Sequence, residues 1–521
     1  MAMTRDPRRL ASERFDVIVV GAGIHGACVA RDAALRGLRV AVVERGDLGG
    51  ETSHNSLKTI HGGIRYIRHL NFTRTRESIR EQTIWLRTAP HLVRPLPFLM
   101  PTYGHGMRGP AAMFAGIQIY RALGLGRNAG LAPPARIRPG RVMGARAARA
   151  QVPDMPAAGL TGAALWDDAQ VRFADRAVIE ILSDAAAHGA AVLTHAEATA
   201  VLSAGGRATG LSVTDRLGGA TFEVSGRLIV NAAGPWAGAL AADLPDAAAA
   251  VPLTRSMNIV TCRPPREAAL SIKSAQASDS KVGETKRLFF AVPWEGCTIF
   301  GTTHAPAGDG ADTPDRQAAD IEAFIGELNA AWPALGLSMD EVVYCYRGLT
   351  PAERSGTGQS RSHESRILDH ARRGGLDGLV SIIGVKWTTA RLVAERTVDL
   401  AAVKLGAGAP CRTRQAPLPP LEDVGYDLAG RTEREIAATC RAHMERTLTY
   451  TLRDMLERRT DDLAQGRLSA GEIACVARAM RGYLGWDAQE CARQAAMMRE
   501  RWLPARTRRV FETGVLFGDA A

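Results

Sequence analysis

The stretch FDVIVVGAGIHGACVARDAALRGLRVAVVERGD, residues 15–47, decides the fold class of this chain. Residues 15–20 are apolar and mostly β-branched, which predicts a short buried strand, and a glycine-rich turn follows at once. Small residues then predict a helix over 27–36, and residues 39–43 predict a second strand that ends at Glu44. A GxGxxG pattern in this strand–turn–helix–strand context indicates a dinucleotide-binding unit rather than a turn in an ordinary βαβ unit.

The glycines of this turn have separate tasks. Gly21 permits the tight turn, Gly23 lets the backbone approach a pyrophosphate, and Gly26 lets the helix pack on the strand. The helix N-terminus offers unpaired N–H groups and a positive dipole end to phosphates. Glu44 can accept both ribose hydroxyls, and its charge disfavours a 2′-phosphate. We interpret His25, inside the turn, as a solvent-facing or packing residue.

Length and composition exclude several classes of protein. A chain of 521 residues exceeds one hydrophobic core and predicts two or three domains. No apolar run reaches the about 18 residues that span a membrane, so we expect neither a spanning helix nor a secretory signal. The net charge of +11 favours an anionic substrate or an anionic membrane surface, and no basic–aromatic module indicates nucleic acid. The eight cysteines show no metal-ligand spacing, so we expect reduced thiols, no metal site and a cytoplasmic location.

The pattern of strands, helices and linkers predicts three structural units. The discontinuous cofactor-binding domain is predicted over 1–75, 170–245 and 345–410. The substrate domain is predicted over 76–169 and 246–344, and the C-terminal helical domain over 411–521. Alternating residues predict an antiparallel sheet in the substrate domain, and a proline-rich linker precedes the charged helices at the C-terminus.

Two helices of the first half need comment. The helix predicted over 71–94 is expected to break at the three prolines of 95–101. The helix over 111–125 is apolar and lies between Arg108 and Arg127. It is either a core helix or a foot that lies on the inner face of the plasma membrane.

A second run, TSHNSLKTIHGGIRY at residues 52–66, indicates which dinucleotide cofactor is bound. A nicotinamide enzyme needs no second glycine pair here, whereas hydroxyls can meet the ribityl chain of a flavin and Gly62-Gly63 lets backbone lie near its ring. His61, Arg65 and Tyr66 then fall beside the reacting face. The run resembles the TSxxSxKxIHGGxRY signature of FAD-dependent glycerol-3-phosphate dehydrogenases, which have a D-amino-acid-oxidase-like fold.

Further motifs resemble that family in the same order along the chain. They are NAAGPW at 231–236, the pair Pro293-Trp294 and Gly301-Thr302-Thr303, the flavin loop at 384–389, and TLTYTLRDMLERRT at 447–460. The resemblance covers nearly the whole chain. It implies an α/β protein with a Rossmann-like FAD-binding domain, an inserted antiparallel substrate domain and a C-terminal helical domain.

The motifs and the resemblance together predict the site residues. The predicted FAD ligands are Gly21, Gly23, Gly26, Glu44, Arg45, Thr52, Ser53, Ser56, Lys58, His61, Gly62, Gly63, Ala198, Gly234, Trp236, Gly384, Lys386, Trp387 and Thr388. The predicted catalytic residues are His61, Arg65, Tyr66, Lys386 and His304. We expect His61, or as second choice His304, to take the hydroxyl proton while hydride moves to flavin N5, and Lys386 to stabilise the reduced flavin.

Three departures from the family pattern concern the substrate. His304 stands where the family has aspartate after GTT, and Val385 replaces the second glycine of the flavin loop. Thr350 stands where the family has an arginine that grips substrate phosphate, and His363 replaces a following arginine. The predicted substrate ligands are therefore Arg65, Arg347, Thr350, Arg361 and His363, although strand alternation would turn Arg347 away from Thr350.

The predicted function is oxidation of glycerol 3-phosphate to dihydroxyacetone phosphate by an FAD-dependent dehydrogenase. Two alternatives stay open: a flavoenzyme of the same fold that acts on another alcohol, amine or hydroxy acid, and a non-enzymatic flavin-binding scaffold. The expected partners are a small anionic alcohol and a quinone or other electron acceptor, with no nucleic acid. A membrane surface and a homodimer are further candidate associations.

Overall fold

The computed structural model of the chain describes residues 2–107, 109–240, 251–278, 285–307, 312–355, 358–361, 364–422, 424–512 and 516–517. Its first sheet is built around the opening strand of the sequence, which pairs in parallel with a strand on each side. The strands of this sheet are β1 (Arg14–Val20), β2 (Val40–Val43), β7 (Ala191–Leu193), β8 (Ala196–Ala204), β9 (Arg207–Asp215), β10 (Thr221–Asn231), β17 (Arg366–Asp369) and β18 (Leu379–Ile383).

The central strands run in the order β18-β10-β1-β2-β7 and are all parallel. β17 pairs antiparallel with β18 at one edge, and the β8–β9 ribbon pairs antiparallel with the start of β10. The predicted strand–turn–helix–strand unit at the start of the chain is thus present. The helix after β1 packs between two other helices on one face of the sheet. It does so because its inward positions, including Ala27, Ala30 and Ala33, are small and fully buried.

The second sheet is mostly antiparallel and lies beside the first. Its strands are β3 (Thr59–Ile60), β4 (Val93–Tyr103), β5 (Arg141–Gly144), β6 (Leu160–Val171), β11 (Leu253–Thr261), β12 (Ala269–Ser278), β13 (Thr285–Trp294), β14 (Cys297–Pro306), β15 (Val342–Ser355) and β16 (Gly358–Arg361). The strand order β15-β11-β14-β13 brings residues from distant parts of the sequence onto one wall.

The helices are α1 (Pro7–Ser12), α2 (Ile24–Leu35), α3 (Phe72–Thr88), α4 (Pro110–Leu123), α5 (Ala145–Gln151), α6 (Ala174–Ala187), α7 (Ala237–Leu240), α8 (Pro314–Ala331), α9 (Ala390–Leu405), α10 (Glu433–Arg446), α11 (Ala470–Leu484), α12 (Ala488–Arg499) and α13 (Ala505–Val510). Among the residues described, no helix combines the length and the apolar character that crossing a membrane requires.

The C-terminal helices pack on the second sheet and are also tied to the first. Trp294, Tyr344 and Tyr346 of the sheet share one buried cluster with apolar residues of α10–α12. Arg458 and Arg459, from the TLTYTLRDMLERRT motif, both donate hydrogen bonds to the buried carboxylate of Asp47 after β2. These paired buried charges fix how the helical region sits against the cofactor-binding sheet.

The structure differs from the sequence-based expectation at three points. The helix predicted over 71–94 ends at Thr88, and the prolines of 95–101 lie inside β4. That strand pairs in parallel with β12 at Phe98 and Leu99, so the second sheet is not wholly antiparallel. The predicted cofactor-domain segment from residue 345 begins inside β15, which pairs with β11 in the second sheet. All three differences result from pairing between strands that are far apart in the sequence, and local sequence patterns do not indicate such pairing.

Candidate functional site

A single elongated cavity of about 1130 Å³ lies between the two sheets. One end is bordered by the β1–α2 turn and Glu44, and the other by side chains of β11, β14 and β15. The loop after β18 and the 52–66 run form its middle. The cavity therefore joins the predicted nucleotide site to the predicted substrate residues in one continuous space.

The nucleotide end is shaped by backbone. Gly21 has φ +95°, and a Cβ there would lie 2.7 Å from the carbonyl oxygen of Ala232. A Cβ on Gly26 would lie 1.9 Å from the carbonyl oxygen of Gly21, so this glycine admits close helix–strand packing and does not itself line the cavity. Gly23 caps α2 without a side-chain hydrogen bond, and the Ile24 N–H donates to Ser53 Oγ at 2.9 Å, so the rest of the first turn faces an anion site.

Glu44 stands at the end of β2 as predicted. Its two carboxylate oxygens accept the N–H groups of Ala22, at 2.7 Å, and Gly46, at 2.8 Å. Burial raises the pKa of Glu44, and these two hydrogen bonds offset part of that effect. Each oxygen keeps a further lone pair, so the carboxylate can still accept a ribose hydroxyl.

The middle of the cavity is held together by hydrogen bonds between the two flavin motifs. His61 N–H donates to Thr388 Oγ1 at 3.1 Å, and Trp387 Nε1 donates to the Ser53 carbonyl at 3.2 Å. Most predicted FAD ligands line the cavity: Gly21, Gly23, Glu44, Arg45, Thr52, Ser53, Ser56, Lys58, His61, Gly63, Ala198, Gly234, Trp236, Gly384, Lys386, Trp387 and Thr388.

Three predicted cofactor ligands have other surroundings than expected. Gly62 does not line the cavity; a Cβ there would lie 1.8 Å from Tyr120 Oη of α4, so the glycine admits that ring. Lys58 is fully buried, with Nζ 4.5 Å from the centroid of Tyr346. The Arg45 guanidinium stacks 3.8 Å from the ring centroid of Trp236.

At the substrate end, His61 is paired with a buried aspartate. Its Nδ1 lies 2.9 Å from Asp168 Oδ2, and the Gly62 N–H donates to Asp168 Oδ1 at 2.6 Å. Burial acts to raise the pKa of Asp168, but the hydrogen bonds and charge around it outweigh burial and lower it. An ionised Asp168 assigns the proton of neutral His61 to Nδ1. The half-exposed ring thus presents Nε2 to the cavity as a proton acceptor.

Arg65, Tyr66 and Lys386 form a second group near this dyad. Arg65 donates a hydrogen bond to Tyr66 Oη at 3.3 Å, and Lys386 Nζ lies 4.5 Å from the centroid of the Tyr66 ring. Burial acts to raise the pKa of Tyr66, but the charges of Arg65 and Lys386 lower it to about 8. Burial lowers the pKa of Lys386, and Tyr66 partly opposes that shift. All three residues line the cavity.

The wall of the second sheet carries a polar network. Ser256 Oγ lies 2.8 Å from His304 Nδ1 and 3.0 Å from Thr350 Oγ1, and Thr350 also meets Thr254 at 2.9 Å. Ser256, His304 and Thr350 all line the cavity. Thr350, which stands where the family has an arginine, thus faces the cavity with a hydroxyl in place of a guanidinium.

Arg347 does not join this wall, which corrects its predicted role as a substrate ligand. Its Nε donates to Asp312 Oδ1 at 2.8 Å, and the guanidinium also pairs with Asp320 on α8. It lies three residues before Thr350 in β15, so strand alternation turns it to the opposite face. The side chain of Arg361 and the whole of His363 lie outside the described residues.

The sequence analysis missed Asp168, Ser256 and Arg287. Asp168 had a visible signal, because WDDAQV at 166–171 places two carboxylates inside an otherwise apolar strand. Ser256 had none. Arg287 on β13 lines the cavity, and no hydrogen bond or ion pair joins its side chain to another residue in the described ranges.

These features fit FAD. The cavity is long enough to connect a ribose-binding carboxylate with a reaction site, and glycines stand where side chains would fill it. The residues that would hold the cofactor are the β1–α2 turn, Glu44, the 52–66 run and the loop at 384–388.

Comparisons with known proteins agree with this assignment. A sequence model of the family described as FAD dependent oxidoreductase (DAO) matches residues 16–400. The chain is 32% identical over 420 residues to glycerol-3-phosphate dehydrogenase of Synechocystis sp., covering 78% of this chain and 74% of that protein. It is 34% identical over 398 residues to glycerol-3-phosphate dehydrogenase 2 of Mycobacterium tuberculosis, covering 76% of this chain and 64% of that protein.

Solved structures support the same fold. The glycerol-3-phosphate dehydrogenase from Bacillus halodurans, complexed with FAD, aligns with a TM-score of 0.70 at 22% identity over 94% of this chain and 95% of that one. L-α-glycerophosphate oxidase from Mycoplasma pneumoniae, with FAD bound, aligns with a TM-score of 0.52 at 16% identity over 78% of this chain and 100% of that one. The predicted fold class, FAD dependence and oxidoreductase activity are confirmed. The chain belongs to the family of FAD-dependent glycerol-3-phosphate dehydrogenases.

Proposed function

We propose that this enzyme oxidises the secondary alcohol of sn-glycerol 3-phosphate to dihydroxyacetone phosphate and passes the electrons to a quinone or another acceptor. The observation that carries the proposal is the arrangement of the His61–Asp168 dyad in the same cavity as Arg65, Lys386 and Arg287. A proton acceptor and several cations facing one space suit an alcohol that carries a phosphate. The relatives named for this activity support it.

In the proposed reaction, His61 Nε2 takes the hydroxyl proton as the carbon–oxygen double bond forms. Asp168 holds the ring in the required tautomer and stabilises the positive charge that it gains. Arg65 and Lys386 orient the substrate from one side, and Arg287 attracts the phosphate from the sheet wall. Bound FAD supplies the two-electron acceptor that takes the carbinol hydrogen as hydride.

The test is anaerobic bleaching of the flavin absorbance by a panel of candidate substrates. Rapid bleaching by sn-glycerol 3-phosphate, with dihydroxyacetone phosphate as product and no response to glycerol, is the expected result. Arg287→Leu should raise the KM for glycerol 3-phosphate by roughly 10- to 100-fold while kcat changes little, because a charge-assisted contact is lost. No bleaching by glycerol 3-phosphate at any concentration would refute the proposed substrate.

A second candidate is oxidation of another alcohol, amine or hydroxy acid, and the Ser256–His304–Thr350 network favours it. This network can bind a neutral polar group where an arginine would bind phosphate. Bleaching by a non-phosphorylated member of the panel, at lower concentration than by glycerol 3-phosphate, would support this candidate over the first.

We also propose that the enzyme works in the cytoplasm and attaches to the inner face of the plasma membrane. Leu70, Phe114 and Leu125 expose 74%, 55% and 85% of their surface, and α4 packs on the 3₁₀ helix Ile64–His69 that precedes Leu70. Arg121 on α4 adds a cation that anionic lipid would attract. All eight cysteines are free thiols, which suits a reducing compartment.

Sedimentation with anionic phospholipid vesicles tests the attachment. Phe114→Glu combined with Leu125→Glu should abolish binding, whereas Val403→Glu, at an apolar position 80% exposed on α9, should leave it unchanged. Equal binding by all three proteins would refute this surface. The homodimer stays a prediction.

A further inference from the structure

A path of hydrogen bonds runs from the His61–Asp168 dyad into the protein. Gln82 on α3 is fully buried, and its Nε2 donates to the Ile60 carbonyl at 2.7 Å and to Asp168 Oδ1 at 3.2 Å. Its Oε1 accepts a hydrogen bond from the guanidinium of Arg127. Because the amide nitrogen faces two acceptors and the amide oxygen faces a cation, the side chain of Gln82 has a single favourable orientation.

Arg127 is held in place by the chain on both sides of it. It follows α4, and a Cβ on Gly124 would lie 3.1 Å from Arg127 Cδ, so this glycine admits the arginine side chain. The guanidinium lies 5.2 Å from the ring centroid of Tyr120 on α4. The next residue, Asn128, donates to the carbonyl of Ile137 and accepts its N–H, both at 2.9 Å. The guanidinium is therefore fixed by its surroundings.

The charge of Arg127 favours the ionised form of Asp168. Burial acts to raise the pKa of this carboxyl, but the hydrogen bond and charge of His61, the Gly62 N–H and the charge of the guanidinium together lower it. Loss of the cation would also leave the buried oxygen of Gln82 without its donor, which favours rotation of the amide. A rotated amide would turn its oxygen toward the carboxylate, where two acceptors repel each other.

We infer that Arg127 is a positioning residue for the proposed proton transfer. It acts through Gln82 on the carboxylate of Asp168. That carboxylate holds the Nδ1 proton of His61, so an error in its orientation is passed on to Nε2, the proton acceptor. Arg127 does not itself line the described cavity. The inference rests on His61 as the base of the proposed function.

Arg127→Met tests the role of the cation, because it removes the charge and keeps an unbranched side chain. Flavin reduction by sn-glycerol 3-phosphate, measured by rapid anaerobic mixing, should slow by roughly 5- to 30-fold, as for loss of a charged hydrogen bond that is partly expressed in the rate. The dissociation constant of the substrate, taken from the concentration dependence of the rate, should stay within about twofold. Arg138→Met is the matched control and should leave the rate unchanged, because Arg138 pairs with Asp167, the neighbouring carboxylate on the opposite face of β6.

A double variant separates positioning from a general loss of structure. If Arg127 acts through Asp168, adding Arg127→Met to Asp168→Asn should slow the reaction no further. A wild-type rate in Arg127→Met would overturn the inference, and so would an equal slowing in the Asp168→Asn background or weaker substrate binding at an unchanged rate. If Arg127→Met does not bind FAD, Gln82→Leu allows the same comparison, because it removes the link and leaves the cation in place.

The result for His61→Asn distinguishes this inference from the proposed function. A wild-type rate in His61→Asn would refute the proposed base, and the inference would fall with it. A slow His61→Asn together with an unaffected Arg127→Met would overturn the inference alone.

Discussion

The two ends of the cavity are built by different means. At the nucleotide end, the β1–α2 turn presents backbone N–H groups and glycines, and the segments at 197–198 and 232–236 complete the wall. At the substrate end, side chains from many separate segments converge, among them β6, β11, β14 and β15. Cofactor binding thus depends on the path of the backbone, and substrate choice depends on which side chains the strands bear.

This contrast makes a general prediction. Side-chain changes at the substrate end should alter rates, pH dependence or substrate preference while FAD stays bound. A substrate-end variant that lost its cofactor would show that the two ends are not independent.

The largest effect is expected for His61→Asn. Without the imidazole, no group in the dyad accepts the hydroxyl proton, so flavin reduction by substrate should slow by about a hundred- to ten-thousandfold. Asp168→Asn should slow the same step, because the ring of His61 is then free to adopt the wrong tautomer. Rapid anaerobic mixing measures the rate, and the flavin absorbance of the purified protein is the control for cofactor content. A wild-type rate in His61→Asn would show that another group is the base.

The next largest effect is expected for Lys386→Met, which keeps the length of the side chain and removes its charge. A charge-assisted contact of about 2–3 kcal/mol in the transition state corresponds to roughly 30- to 150-fold in the rate of flavin reduction. FAD should still bind through the β1–α2 turn. A variant with wild-type reduction rate and wild-type flavin potential would show that Lys386 has no electrostatic role.

These two residues also show what the sequence could predict. His61 and Lys386 stand in contiguous motifs that resemble those of the family, and both residues line the cavity. Asp168 and Arg287 come from strands whose neighbours lie far away in sequence, so only the sheet pairing brings them to the site. Arg347 shows the reverse: it was predicted as a substrate ligand although strand alternation turned it away from Thr350, and its pairing with Asp312 and Asp320 keeps it outside the site.

The strand β4 shows the same limit for the fold. Its prolines at positions 95, 97 and 101 were interpreted as a helix break, because proline removes a hydrogen-bond donor. All three are at odd-numbered positions, and alternate residues of a strand direct their N–H groups to the same edge. The missing N–H groups therefore all lie along one edge of the strand. The strand pairs with β6 over its whole length but with β12 only at Phe98 and Leu99. Proline is tolerated on an edge with so little pairing.

A smaller effect is expected from the pH dependence of KM. With the pKa of Tyr66 lowered to about 8, its hydroxyl is neutral below that pH and ionised above it. Above pH 8 the phenolate cancels one of the positive charges of Arg65 and Lys386 beside it. The KM for an anionic substrate should therefore rise by about fivefold as pH rises through 8, as for a screened charge pair. In Tyr66→Phe the KM should stay flat between pH 7 and 9; an unchanged rise in that variant would assign the titration to another group.

The smallest effect is expected for Thr350→Arg. Thr350 faces the cavity, where its hydroxyl meets Ser256 and Thr254. A guanidinium at this position matches phosphate oxygens bidentately, so kcat/KM for glycerol 3-phosphate should rise. The gain should be only about two- to threefold, because Arg287 already supplies a charge on the same wall and surface-type charge pairs add little.

Testing Thr350→Arg both in the wild-type enzyme and in Arg287→Leu distinguishes two explanations of phosphate recognition. If Arg287 has replaced the missing family arginine, Thr350→Arg should restore most of the activity that Arg287→Leu loses, which is a larger gain than in the wild-type enzyme. If the wall instead recognises a neutral group, Thr350→Arg should lower kcat/KM for the native substrate, since an unpaired buried charge is costly. Comparing kcat/KM of the four proteins, wild type, both single variants and the double variant, decides between them. Loss of glycerol 3-phosphate activity in Thr350→Arg, from a wild type that already uses it well, would show that the hydroxyl network itself binds the phosphate.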